Sequence, residues 1–260
     1  MIDLHCHILP GVDDGPQGVD GSVAMARAAL QDGVDAVVAT PHGNVPWGFG
    51  GNEAELRERV AALETELARR GLELKLFPGL EVALTPDAPT LYAARQLFTL
   101  NGSRYLLVEF PVHLVPSYAE ETLFHLQLQK LVPVIAHPER NAQIAADLEI
   151  LQRMVDRGMM AQITAGSLVG AFGTSTQQVA ETLLLRGLVH VIASDAHPMD
   201  GRSSSLAAAV LQATILVGEE AARALVTTAP DAILRDREVV LPEPRPAPRR
   251  SWFPFSRRKS

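Results

Sequence analysis

The chain has 260 residues, of which 47% are hydrophobic, 20% charged and only 5% aromatic. A chain of this length can bury one large core, and α/β barrels commonly have this size. The net charge is −7, and the last twenty residues hold six basic residues against one acid, so the first 240 residues carry a net −12. Such an acidic body argues against a general nucleic-acid binder. A single cysteine excludes an intrachain disulfide, and with neither a secretory signal nor a membrane-length apolar run, we expect a cytoplasmic location.

Short β-like runs alternate with helical runs along the chain. The predicted strands cover residues 2–5, 35–40, 72–78, 104–110, 132–136, 159–163 and 189–193. The predicted helices cover residues 21–32, 53–70, 118–130, 148–157, 176–186, 204–216 and 219–226. About seven strand–helix units imply parallel strands joined by right-handed crossovers. Such a chain forms either a closed (β/α) barrel or an open, doubly wound sheet.

Histidines and acidic residues recur where the predicted strands end. Five of the eight histidines stand there, together with four carboxylates: His5, His7, Asp14, His42, Glu81, Glu109, His137, Asp195 and His197. The C-terminal strand ends of a barrel meet at one rim, where active sites form. Because a barrel would gather residues almost 200 positions apart, this pattern favours the closed barrel.

The spacing of these residues predicts a metal centre. Alternate residues of a strand face the same way, so His5 and His7 face together while Cys6 faces away. Taken singly, such a pair, or a glutamate after a strand, is more often structural. Jointly they would repel one another on one rim, and a metal cluster removes that cost. Imidazole and carboxylate ligands suit zinc, manganese or iron, and nine ligands are too many for one ion.

Two arginines stand close to these candidate ligands in the sequence. Arg140 follows His137 by three residues, and Arg202 follows His197 by five. A guanidinium group near metal ions suits a phosphate clamp, although each arginine alone could equally form a surface salt bridge.

Seven motifs together resemble the PHP-type protein-tyrosine phosphatases of bacterial capsule and exopolysaccharide systems, the CpsB/CapC-like family. They are MIDLHCHILPGVDDG at 1–15, TPH at 40–42, PGLE at 78–81, LVEF at 107–110, IAHPER at 135–140, QITAGSL at 162–168, and IASDAH at 192–197 with Gly201 and Arg202. The match runs in order over roughly residues 1–235. The resemblance implies a distorted (β/α)7 barrel in a single domain over residues 1–240.

The resemblance also implies three divalent metal ions, usually manganese, with iron, zinc or magnesium as alternatives. Their implied ligand sets are His5, His7, Glu81 and Asp195; then Glu81, Glu109 and His137; then Asp14, His42 and His197. Asp13 competes with Asp14, and the sequence leaves that choice open. Arg140 and Arg202 match the phosphate-contacting arginines of the family. The chain departs from the family at Asn141, where we expect an aromatic residue.

The expected activity is hydrolysis of phosphotyrosine by in-line attack of a hydroxide that bridges the metals. His42 or a metal-bound water would protonate the leaving phenolate. Cys6 does not fit a cysteine nucleophile, because position 12 is valine where such a phosphate loop needs arginine. Two alternatives stay open: a PHP phosphoesterase acting on a small phosphomonoester such as histidinol phosphate, and a non-catalytic PHP scaffold.

The last twenty residues differ from the rest of the chain. Proline stands at every second position from 242 to 248, which predicts a disordered tail over residues 241–260. Trp252, Phe253 and Phe255 then lie among basic residues and could dock on an anionic membrane. The resemblance implies that the partner is a phosphotyrosine protein, a membrane tyrosine autokinase that controls polysaccharide synthesis, and membrane docking would bring the chain close to it. The alternative reading of the tail is a merely solubilising end.

Overall fold

The computed structural model describes residues 1–198 and 206–242. In these residues the strands are β1 (Ile2–Cys6), β2 (Ala36–Ala39), β3 (His42–Gly43), β4 (Lys75–Pro78), β5 (Glu81–Ala83), β6 (Tyr105–Glu109), β7 (Val132–Ala136), β8 (Met160–Thr164) and β9 (Val191–Ala193). The helices are α1 (Val19–Gln31), α2 (Glu53–Arg69), α3 (Ala88–Ala93), α4 (Ala119–Leu128), α5 (Ala142–Ala146), α6 (Glu149–Asp156), α7 (Ala165–Leu168), α8 (Thr174–Leu185), α9 (Leu206–Val217), α10 (Glu219–Ala224) and α11 (Thr228–Leu234).

The strands close into a barrel of parallel strands. β1, β2 and β4 pair in that order, and β3, β5, β6, β7, β8 and β9 pair in theirs. β3 continues the line of β2 after two residues, and β5 continues that of β4, so the nine strands form seven lines. The ring closes where Cys6 bridges Ala196 in parallel and the Asp195 amide donates to the His5 carbonyl at 2.9 Å. The predicted distorted (β/α)7 barrel is therefore confirmed.

A β-bulge in β1 sets the direction of the first histidines. Asp3 pairs with Val37 and Cys6 with Ala39, so β1 has one residue more than its partner between these pairs. Leu4 can therefore pack inside the barrel, while Cys6 packs in the outer core between the strands and helices. His5 and His7 are left facing the rim.

The barrel has an inner and an outer apolar core. The inner core takes alternate residues of the strands, among them Leu4, Val38, Leu107 and Val134, and α11 packs against it. The outer core lies between the strands and the surrounding helices, where α2 buries Leu56, Val60, Leu63 and Leu67 as its apolar spacing predicts. Both cores hold the strand ends in fixed positions, as a multi-residue site requires.

The sequence patterns missed four short helices. These are α3, α5, α7 and α11, with six, five, four and seven residues. Helices of this length show less than two full turns of apolar repeat, so tertiary packing rather than periodicity stabilises them. The predicted helix 204–216 begins outside the described residues. Within the described ranges, no helix is long and apolar enough to cross a membrane.

Candidate metal centre

The C-terminal rim of the barrel gathers all nine residues that the sequence nominated as ligands. We call these residues the rim cluster: His5, His7, Asp14, His42, Glu81, Glu109, His137, Asp195 and His197. Most are buried, whereas the Asp14 side chain is half exposed and that of Glu109 a quarter exposed. Three sets of these side chains bring ligand atoms within 4.8 Å of one another, so the cluster could hold metal ions.

Glu81 lies at the centre of the rim cluster. Its Oε2 atom is 3.3 Å from His5 Nε2, 3.2 Å from His7 Nε2 and 3.1 Å from His42 Nδ1. Its Oε1 atom is 3.0 Å from His137 Nε2. Oε2 is fully buried and makes no hydrogen bond of acceptable geometry. A buried carboxylate oxygen surrounded by imidazole nitrogens, yet without a hydrogen bond, is what a cation between these atoms would explain.

A second set of ligand atoms lies towards the solvent. His197 Nε2 is 3.2 Å from the Asp14 carboxylate, and His42 Nε2 is 3.7 Å from it. The His7 ring stacks on the His197 ring with centroids 4.0 Å apart, so His7 belongs to this set as well as to that of Glu81. The resemblance placed His7 in one set only, with His5, Glu81 and Asp195, whereas in the structure its side chain lies between two sets.

Glu109 and Asp195 complete the rim cluster. Glu109 lies 3.6 Å from His42 and 3.7 Å from His137. Asp195 lies 3.5 Å from His5 and 3.6 Å from His7 through its Oδ1 atom. The implied grouping kept His42 apart from Glu81 and Glu109, whereas these three side chains form one of the sets in the structure.

The structure separates the neighbouring carboxylates Asp13 and Asp14. Asp13 Oδ2 lies 2.7 Å from His7 Nδ1 and accepts the His42 amide at 3.0 Å, and its Oδ1 accepts the Gly15 amide. It thereby holds a histidine by the ring nitrogen that faces away from the cluster. Asp14 instead faces His197 and His42, so the geometry favours Asp14 as the ligand.

Three histidines of the cluster donate their Nδ1 hydrogen to a protein oxygen. His5 donates to Gln162 Oε1 at 3.0 Å, His7 to Asp13 Oδ2, and His197 to the Asp195 carbonyl at 2.9 Å. Each acceptor is an oxygen without hydrogen, so Nδ1 is engaged by the protein and Nε2 is the ring nitrogen left to face the cluster. Metal-binding histidines are commonly oriented in this way. The role of Gln162 was missed from the sequence, where it stood only as the first residue of the motif QITAGSL at 162–168.

The charges of the cluster shift several pKa values. Burial alone would lower the pKa of His5, but the carboxylates of Glu81 and Asp195 outweigh it and raise the pKa to about 9. Burial, together with the charge of Glu81, raises the pKa of Glu109 to about 7. For Asp195 burial acts upwards, yet the imidazoles of His5 and His137 lower its pKa. These opposed shifts reflect acids crowded onto one rim, where bound cations would stabilise their charged forms.

Backbone strain accompanies the candidate ligands that follow β7 and β9. His137 has φ +33° and Asp195 has φ +49°, the left-handed region that non-glycine residues seldom occupy. Each such residue costs of order 1–3 kcal/mol and persists where the surroundings determine it, commonly at functional sites.

Arg140 reaches the cluster from the turn after β7. Its guanidinium donates to Asp195 Oδ2 at 2.5 Å and lies over the Phe172 ring, 4.8 Å from the centroid. Phe172 was not nominated from the sequence, because it lies in the connection after α7, far from Arg140 along the chain. Arg202 lies outside the described residues.

Asn141 and Cys6 make their contacts outside the rim cluster, and both have a structural role. Asn141 caps α5 by accepting the amides of Gln143 and Ile144, and its Nδ2 donates to the carbonyls of Pro111 and Leu114. Cys6 is buried in the outer core, and burial raises the pKa of its thiol. The thiol therefore stays protonated. Because it packs in the outer core, it faces away from the rim, as its alternation with the histidines predicted.

Comparison with known proteins decides the family. Residues 1–235 match the family model of capsular polysaccharide synthesis proteins, CpsB/CapC. The chain belongs to the CpsB/CapC family. Tyrosine-protein phosphatase YwqE of Bacillus subtilis strain 168 is 39% identical over 256 residues, 98% of this chain and all of that protein. Tyrosine-protein phosphatase CpsB of Streptococcus pneumoniae is 30% identical over 91% of this chain and 99% of its own length.

A solved structure agrees with this membership in the CpsB/CapC family. The structure comes from crystallographic work on YwqE of Bacillus subtilis and CpsB of Streptococcus pneumoniae, described as unique metal-dependent tyrosine phosphatases. It matches with a TM-score of 0.88 and 37% identity, covering 96% of this chain and 100% of that one. The likeness thus extends over nearly the whole chain.

Proposed function

We propose that this member of the CpsB/CapC family is a metal-dependent protein-tyrosine phosphatase. The observation that carries the proposal is the buried Glu81 Oε2 atom, which three imidazole nitrogens surround at 3.1–3.3 Å and which makes no hydrogen bond. Relatives at 39% and 30% identity that are named tyrosine-protein phosphatases support the same reading.

The rim cluster is the proposed binding site of three divalent metal ions, with manganese as the first candidate and iron, zinc or magnesium as alternatives. Glu81 and its neighbours His5, His7, His42 and His137 would hold the ions, the glutamate through oxygen and the histidines through nitrogen. Imidazoles and carboxylates together suit these metals, and no thiolate is needed. When bound, the ions would lower the pKa of water and neutralise charge on the phosphoryl group.

The chain's own contribution to phosphate binding is Arg140. Its guanidinium is already oriented by Asp195 and by the face of Phe172, so little side-chain entropy is lost when a phosphate oxygen is bound. Positive charge fixed beside the phosphoryl oxygens stabilises them as the transition state forms. Arg202 is the proposed second phosphate contact.

The leaving group needs little help from the protein. Tyrosine phenol has a pKa near 10, so phenolate departs more readily than a serine alkoxide. Burial, which outweighs the nearby carboxylates, lowers the pKa of His42. A neutral imidazole binds a metal well. We therefore propose metal binding as the first role of His42 and proton donation to the leaving group as its second candidate role.

The proposed substrate is a phosphotyrosine protein, namely a membrane tyrosine autokinase of a capsule or exopolysaccharide system. In this proposal residues 1–240 form the catalytic domain, and residues 241–260 form a tail that contacts the anionic cytoplasmic face of the membrane. The basic and aromatic composition of the tail supports this part.

The substrate class is tested by steady-state kinetics with manganese present. We expect kcat/KM for a phosphotyrosine peptide to exceed that for histidinol phosphate and for other small phosphomonoesters. Better turnover of the small molecules would favour the alternative phosphoesterase. No turnover of any phosphomonoester by metal-loaded protein would leave only a non-catalytic scaffold.

A further inference from the structure

Two large aromatic side chains among the described residues are strongly exposed, and one of them stands at the rim cluster. Trp47 and Phe124 are each 55% exposed. The Trp47 ring meets the edge of the His42 ring at a centroid distance of 4.6 Å and an angle of 71°. An exposed indole that touches a candidate ligand leaves about half of its surface available to something bound there.

The loop that carries Trp47 is held at both ends. Before it, Asn44 donates from Nδ2 to Thr85 Oγ1 at 2.6 Å and to the Ala83 carbonyl at 3.2 Å. After it, Phe49 donates its amide to the His42 carbonyl at 2.6 Å and buries its ring against Phe98. Anchors this close to Trp47 leave its backbone little freedom.

A tight turn then presents the indole at the rim. The Gly48 amide donates to the Val45 carbonyl at 3.1 Å, with Pro46 at the second position, where proline favours a turn. A Cβ atom at Gly48 would lie 2.3 Å from the His42 carbonyl oxygen, so this close return to β3 requires glycine. The hydrogen bonds of the loop therefore hold the backbone of Trp47 in place, while its ring remains exposed.

We propose that Trp47 is the specificity-determining residue for the aryl group, and that its indole packs against the phenyl ring of the phosphorylated tyrosine. This inference rests on the proposed function. If Arg140 and the rim cluster hold the phosphate, the phenyl ring is one ester oxygen away from phosphorus, and the proposal places that ring on the His42 side, where Trp47 lies. Aromatic pairs are favourable at centroid distances of about 4.5–7 Å, within reach of a ring fixed against His42. Phosphoserine offers no ring to this contact.

The energy of an aromatic pair sets the size of the effect expected when the Trp47 ring is removed. An aromatic pair contributes about 0.5–1.5 kcal/mol beyond its buried area, which corresponds to a change of roughly 2- to 12-fold in binding. The contact forms with the bound substrate, so its loss should raise KM more than it lowers kcat. An alkyl phosphate, which cannot make the contact, serves as the internal reference.

The test compares two peptides that differ only in carrying phosphotyrosine or phosphoserine, using the full, manganese-loaded chain. We expect Trp47→Ala to lower the ratio of kcat/KM values, tyrosine over serine, by about 3- to 10-fold through KM. Trp47→Phe should keep most of the ratio, because a ring remains. Phe124→Ala, which removes an equally exposed ring from α4, should leave the ratio unchanged.

The outcomes separate this inference from the proposed function. An unchanged ratio in Trp47→Ala, or equal losses on both peptides together with a lowered metal content, would overturn the role of Trp47. The proposed function would still stand if the unsubstituted chain hydrolysed the phosphotyrosine peptide. Absence of that activity in the unsubstituted, metal-loaded chain would instead count against the proposed function.

Discussion

His5 donates its Nδ1 hydrogen to the side-chain oxygen of Gln162, 3.0 Å away on the opposite side of the barrel seam. The two residues are 157 positions apart, on β1 and β8. The bond fixes the ring so that Nε2 faces Glu81. An amide from one strand thus orients a candidate ligand on another, which gives Gln162 a role through His5.

Replacing Gln162 by leucine should weaken metal binding. The His5 ring would lose its acceptor and could turn or change tautomer, and loss of such a partner typically costs about 10- to 100-fold in metal affinity or activity. Titration of metal-free protein with manganese, followed by calorimetry, measures the change. Gln162→Glu keeps an acceptor at that place and should retain more affinity than the leucine variant; equal affinities in both variants would contradict the role.

Phe172 should matter for phosphate binding although it is far from Arg140 in sequence. The ring supports the guanidinium by a cation–π contact, worth about 0.5–1 kcal/mol where solvent reaches it. Phe172→Leu should therefore raise the inhibition constant for inorganic phosphate by about 2- to 5-fold. Phe77→Leu, another half-buried phenylalanine, serves as the control. If both variants bind phosphate as the unsubstituted chain does, the Phe172 ring has no role in phosphate binding.

Removing the thiol of Cys6 should leave the chemistry intact. Cys6 packs in the outer core with its pKa raised by burial, so it is neither a ligand nor a nucleophile. We expect Cys6→Ala to keep its kcat and to lose about 1 kcal/mol or more of stability from the lost packing. Kinetics and urea unfolding measure the two quantities. A variant that folds, binds metal and yet has no activity would show that the thiol takes part.

His190 should make the fold sensitive to acid. Burial lowers its pKa to about 4, from an ordinary 6.5, while its Nδ1 accepts the Ala161 amide at 3.2 Å. Below pH 6.5 His190 binds a proton in the unfolded chain, whereas in the folded chain it stays neutral until the pH approaches 4. The stability that the neutral imidazole provides is therefore complete above pH 6.5 and declines as the pH falls to about 4.

The matched variant for this prediction is His190→Asn, which keeps an acceptor but does not titrate. Between pH 6.5 and 4, the free energy of unfolding should fall by about 2–3 kcal/mol more in the unsubstituted chain than in the variant. Urea unfolding at several pH values measures both. Parallel pH curves would mean that His190 takes up its proton equally readily in the folded and the unfolded chain, so that folding does not lower its pKa.

Much of the fold and the position of the centre could be predicted from local patterns. Apolar runs ending in histidine or a carboxylate mark strand ends, and a closed barrel must bring those ends together. Leu56 and its neighbours on α2 were predictable because their repeat spans several turns. Short helices such as α5 escaped, because Asn141 stabilises that helix by bonds to a distant loop.

What could not be predicted depends on contacts between distant parts of the chain. The geometry that favours Asp14 over Asp13 as a ligand appears only in the folded loop, where Asp13 is engaged by His7 and by the His42 amide. Adjacent identical residues carry no sequence pattern that separates them. Phe172 reaches Arg140 only after the barrel has closed. Trp47 reaches His42 through the turn in which the Gly48 amide donates to the Val45 carbonyl, and side-chain periodicity does not reveal that turn. The sequence identifies residues with the right chemistry, and tertiary structure decides which atoms they meet.

The central claim is that the rim cluster works by binding metal. Its most direct test is the activity on a phosphotyrosine peptide of protein stripped with EDTA, dialysed, and then titrated with manganese while bound metal is measured. We predict no activity in the stripped protein and recovery in step with metal uptake. A Glu81→Gln variant should take up less metal and recover little activity. Full activity in metal-free protein would contradict the account.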